Sequence, residues 1–130
     1  MASELKVDKF TGVTTAGSID VTGEGNSTTT NLQQGLAKSW LKMNGSSTVA
    51  VEDSFNNASI TDNGTGTYAR ALTNALANDD YSTCGSQQLS QSNYAISTFT
   101  TTTHAMFVRN DAGTFSDASH VSVQNFGDLA

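Results

Sequence analysis

The sequence predicts an all-β protein, a small antiparallel β-sandwich or barrel with a short N-terminal spacer or stem. Three observations carry that expectation. Thr and Gly are frequent while Glu and Lys are sparse, a balance that favours strands over helices. Short apolar stretches with period-two spacing are separated by Gly, Asn and Asp, which must supply the turns because the chain has no Pro. The pair Asn63-Gly64 stands between two such stretches and tolerates the positive φ of a type I′ hairpin turn.

Residues 1–35 form the spacer. Leu5 and Val7, then Ile19 and Val21, have strand spacing over very short spans, and TGVTTAGS and TGEGNSTTT between them are turn and spacer sequences. So few apolar groups cannot bury enough surface to fold alone. The segment must be disordered, pack on the neighbouring β-domain, or intertwine with other copies of itself.

Residues 36–130 form the β-domain. A first strand over 39–43 leads to a turn at Asn44-Gly45-Ser46-Ser47. A second is expected over 48–52 with Val49 and Val51 on one face, then a loop over 53–59 containing Phe55. Ile60 enters the Asn63-Gly64 hairpin. The return strand, 67–73, puts Tyr68, Arg70 and Leu72 on one side and Ala69 and Ala71 on the other. The stretch LTNALA reads as the end of that strand and SQQLSQS as an exposed loop. Tyr94, Ile96 and Thr98 alternate with Ala95, Ser97 and Phe99 in a further strand. Strands over 104–109 and 120–126, with a turn at Asn110-Asp111-Ala112-Gly113 after the first, close the domain.

Composition narrows the function. At 130 residues and 13.6 kDa the chain allows one domain with a modest core. Only 14% of residues are charged, against roughly 25% in an average soluble domain. Hydroxyls and amides, rather than ions, solvate such a surface. A net charge of −6 with six scattered basic residues argues against nucleic acid, whose phosphates need clustered Lys and Arg. No apolar run approaches the ~20 residues of a membrane span, and MASELKVDKF lacks a signal peptide's apolar region. The expected compartment of synthesis is a cytoplasm, where the lone Cys84 remains a thiol. The Asn-x-Ser/Thr sites at Asn26, Asn44, Asn57 and Asn63 then carry no meaning.

Several segments, in order, resemble a module of virion proteins from marine tailed bacteriophages, described as tail-fibre-like or virion structural proteins. They are Lys38-Ser39-Trp40, Asn44-Gly45-Ser46-Ser47-Thr48-Val49, Asp53-Ser54-Phe55-Asn56, and Ser59-Ile60-Thr61-Asp62-Asn63-Gly64-Thr65-Gly66 with Tyr68. The ending from Val121 to Ala130 is similar too, and the likeness covers about two thirds of the chain. It implies a non-enzymatic homotrimeric component of the particle, a tail-fibre-type appendage for assembly and surface attachment. The alternative is a capsid decoration or head-fibre protein cementing the major capsid protein. A carbohydrate-active enzyme or lectin-like domain ranks below both. The implied location is the virion. The implied partners are other copies, tail or major capsid protein, and a host-surface glycan or receptor, with no nucleic acid and no membrane insertion. The chain departs from the module at Asn57-Ala58 and Ala69-Arg70-Ala71, where larger apolar residues are usual. That implies looser packing there, or a position facing a partner chain.

No catalytic, cofactor or metal set is expected. Ser39 and Lys42 have the S-x-x-K spacing of serine acyl-enzymes, but a strand sends them to opposite faces and the accompanying motifs are missing. His104 and His120 are too few for a metal site, and Asp53, Asp79 and Asp80 lack a calcium-loop pattern. Trp40 has two readings. With Leu41 and Met43 in the core it faces outward between Lys38 and Lys42, as a contact with another copy or partner; with Leu41 outward it is a core residue. The candidate contacts are therefore Leu5, Val7, Phe10, Trp40, Lys38, Lys42 and His120, the last opening the final strand. The SQQLSQSNY loop and the turn over 111–117 are further candidates, since binding residues concentrate on loops.

Overall fold

The computed structural model describes residues 4–13, 19–23, 25, 27–88 and 93–130. It divides into two compact units, Met1–Leu36 and Ala37–Ala130.

In the first unit, β1 (Asp20–Thr22) pairs antiparallel with β2 (Thr29–Asn31). A single helical turn, α1 (Leu32–Gly35), comes next, capped by the Asn31 side chain, which accepts from the Gln34 amide at 3.0 Å. No residue of α1 is buried. Residues 4–10 form no strand, so the Leu5/Val7 spacing produces no pairing. Part of the expected spacer, residues 14–18, Glu24 and Asn26, lies outside the described residues.

The second unit is a sandwich of two antiparallel four-stranded sheets among the described residues. One sheet has the order β4-β3-β10-β7 and contains β3 (Ser39–Asn44), β4 (Ala50–Phe55), β7 (Ser82–Gln87) and β10 (Val121–Phe126). The other has the order β5-β6-β9-β8 and contains β5 (Ser59–Asp62), β6 (Thr67–Ala71), β8 (Asn93–Phe99) and β9 (Thr103–Arg109). The core joins inward residues of both sheets: Leu41, Met43, Val121 and Val123 from one, Tyr68, Met106 and Val108 from the other. Alternation explains which residues these are, because β3, β6, β9 and β10 each bury every second side chain.

Three expectations change. The second strand starts at Ala50 and runs on through Phe55, instead of ending in a loop at Asp53. A β-bulge lies behind the shift. Lys42 pairs with Asp53 but Met43 pairs with Val51, leaving Glu52 as the extra residue and breaking the simple alternation. The return strand ends at Ala71, and beyond it Leu72, Leu76 and Tyr81 pack as a second small cluster in an irregular crossing. Ser86 and Gln87, expected in a loop, belong to β7; residues 89–92 of that loop lie outside the described residues.

The predicted hairpin forms, but not through a type I′ turn at Asn63-Gly64: positive φ falls on Gly64 and Gly66 and not on Asn63, which makes the loop longer. Asp62 Oδ1 accepts from the Gly64 amide at 2.9 Å, and Thr67 N–H donates to the Gly64 carbonyl. The turn is tied into the sandwich by Asp117, whose Oδ1 accepts from the Gly66 amide at 2.7 Å and lies 2.9 Å from the Tyr68 hydroxyl.

Between the two apolar clusters the interior is polar. Ser39, Asn125 and Thr83 stand in register across one sheet, and Arg70 and His104 in register across the other. Ser39, Arg70, His104 and Asn125 are fully buried. Asn57 and Arg70 meet here: Arg70 Nε donates to Asn57 Oδ1 at 3.0 Å. Arg70 therefore faces the interior and not a partner chain.

Candidate functional site

The inward run Ser39, Leu41, Met43 turns Trp40 and Lys42 to the outside of the first sheet, and the inward run Val121, Val123, Asn125 does the same for Ser122 and Gln124. The register then assembles rows from strands distant in sequence. Phe55, Trp40, Gln124 and Cys84 stand side by side in one row; Asp53, Lys42, Ser122 and Ser86 form the next. Neighbours in a row are ~5 Å apart, within reach of a single ligand.

Trp40, Gln124, Lys42, Ser122 and Ser86 from these rows line an open cleft of about 630 Å³ across β3, β10 and β7, whose walls also include Gln88 and His120. Backbone and side-chain bonds hold its far end. The Gln88 amide donates to the His120 carbonyl at 2.9 Å, Ser119 Oγ donates to Gln88 Oε1 at 3.3 Å, and the Ser86 and Ser122 hydroxyls are 2.9 Å apart. The bulge at Glu52 brings that carboxylate to Lys42 Nζ at 2.9 Å. The Lys42 hydrogen bond holds the Glu52 carboxyl below its ordinary range, and the charges of Lys42 and His120 act in the same direction. The cleft therefore carries an aromatic ring among amides and hydroxyls, and its Lys42 is tied to Glu52, outside the lining, in an exposed ion pair.

Trp40, Lys42 and His120, separate in the sequence, meet in this cleft. Lys38 does not join them. It is buried, and its amide extends the β3–β10 pairing by donating to the Asn125 carbonyl at 2.8 Å. Leu5, Val7 and Phe10 are exposed in the Met1–Leu36 unit. In the turn over 111–117, Asp117 is engaged by Gly66 and Tyr68, while Asp111 accepts from its neighbour Ala112. His104 is in the interior and His120 is exposed, so the two histidines face different environments. Ser39 is buried and Lys42 exposed, on opposite faces of β3. Among the described residues no three His, Cys, Asp or Glu side chains gather as a metal site, and no helix is long and apolar enough to cross a membrane. Ser86 and Gln88 come from the SQQLSQSNY candidate segment, whereas sequence reasoning missed Gln124, Ser122 and Phe55. Their only signal is the strand register, which no local pattern carries.

Comparison with family models, curated proteins and solved structures finds no match.

Proposed function

We propose that the chain is a non-enzymatic structural protein of a tailed-phage particle, a tail-fibre-type homotrimeric appendage that acts in assembly and surface attachment. The observation that carries this reading is the position of Trp40. The chain's single tryptophan stands half-buried on the outside of a sheet, in a cleft, with Phe55 and Gln124 in register on its two sides. Aromatic side chains held this way dominate contact energetics. The ordered motifs shared with virion proteins supply the setting. Three copies would present three such clefts, and weak single contacts become tight when several engage one surface.

One observation favours a capsid decoration protein as the second reading. In the Met1–Leu36 unit the described strands are two of three residues each, far short of a shaft. Cryo-electron microscopy of purified particles separates the two. A few trimers of density at the tail support the appendage, hundreds of copies on the shell support decoration, and absence from the particle overturns both.

A further inference from the structure

We infer that the cleft over β3, β10 and β7 is a binding site for a neutral saccharide. The inference rests on reading this cleft as the outward contact surface, but its chemistry stands apart from any virion address. A sugar presents two kinds of surface: flat faces of polarised C–H groups, and a rim of hydroxyls that each donate and accept. The cleft has a counterpart for each. Trp40 offers an indole whose π-face is negative and whose position on a central strand is fixed by pairing on both sides, to Phe55 and to Gln124. Gln124 and Gln88 offer amides, and Ser86 and Ser122 hydroxyls, groups that likewise donate and accept.

Charge selects against the other small-ligand classes. Lys42, the cleft's lysine, already holds the Glu52 carboxylate at 2.9 Å, so an anionic ligand would have to displace it. For a cationic ligand no carboxylate lines the cleft, and Glu52 beside it is already paired with Lys42. Geometry is also suited. Neighbours ~5 Å apart within a row, and rows ~7 Å apart along the strands, offer polar groups at about the length of one sugar ring. The volume of about 630 Å³ falls within the ~300–1,000 Å³ of small-ligand sites and accommodates a short oligosaccharide.

Trp40 is the only tryptophan, so its emission reports on this cleft alone. The test titrates the full-length protein with maltohexaose, laminarihexaose, cellohexaose, chitohexaose and mannohexaose, reading Trp40 fluorescence and heat by calorimetry. The expected result is a saturable emission change with at least one of them. Gln124→Ala, on the solvent face, then weakens that sugar by about tenfold or more with an unchanged melting temperature. Trp40→Phe keeps a ring and retains weakened binding by calorimetry, while Trp40→Ala loses it. The inference is overturned if none of the five sugars changes the emission, or if Gln124→Ala binds as the parent does. It is equally overturned if the cleft proves to be covered by a tail or capsid protein on the particle. Saccharide binding by a protein absent from particles would overturn the virion role and leave this site standing.

Discussion

Arg70 and His104 stand directly opposite each other on β6 and β9, both turned into the sandwich and both buried. Neither His104 ring nitrogen has a hydrogen-bond partner among the described residues. Burial, and then the charge of Arg70, lower the His104 pKa to about 4 from an ordinary 6.5. Between those values the unfolded chain binds the proton and the folded chain does not. Stability is therefore full above about pH 6.5 and falls as the pH drops toward about 4, by up to about 3 kcal/mol from this group. Urea unfolding of the parent and His104→Gln across this range checks it. Parallel pH profiles for the two would refute the assignment to His104.

Asn57 accepts from the buried Arg70 guanidinium at 3.0 Å. Asn57→Ala takes that acceptor from a charged donor, and should cost about 2 kcal/mol. Chemical denaturation measures it. A loss below about 0.5 kcal/mol would mean that the bond contributes little to the polar layer.

Gly66 and Gly64 both have positive φ, but only Gly66 is crowded. A Cβ on Gly66 would meet the Val108 carbonyl oxygen and approach the Ser116 backbone nitrogen to 2.7 Å, and backbone cannot step aside as a side chain can. Gly66→Ala should destabilise by about 3 kcal/mol or more, Gly64→Ala by about 1–2 kcal/mol, as expected of left-handed strain alone. Equal melting temperatures for the two variants would contradict the crowding.

Cys84 is exposed on β7, beside Gln124. The folded protein should react with a thiol reagent without denaturant, at one thiol per chain, and should form covalent dimers when reductant is removed. Protection of the thiol until unfolding would place another surface over this face.

If residues 1–35 interleave in a trimer, their removal should lower both the trimer's melting temperature and its assembly constant. Analytical ultracentrifugation and calorimetry of residues 36–130 decide. A truncated chain that stays trimeric with unchanged melting would end the interleaved-stem idea.

Local chemistry made much of the sandwich legible. Ser39 to Met43, Thr67 to Ala71 and Val121 to Phe126 alternate cleanly, and Asp62-Asn63-Gly64 can hardly avoid a turn, so these elements form where expected, the return strand two residues shorter. Ser82 to Gln87 contains no aliphatic or aromatic residue. It is a strand because β10 offers a hydrogen-bonding edge, an influence no window of sequence contains. The Glu52 bulge is likewise a property of the pair and not of β4.

The sequence by itself determined the all-β class, most strand positions and the two possible orientations of Trp40. Only the tertiary structure decided that Trp40 faces outward, that Lys38 is buried, and that Gln124, Ser86 and His120 stand with the indole in one cleft. Alternation and turn preference act over a few residues, whereas register is set by which face the whole sheet buries. A slip of one residue would reverse every side chain on β3 and dismantle the cleft with the core.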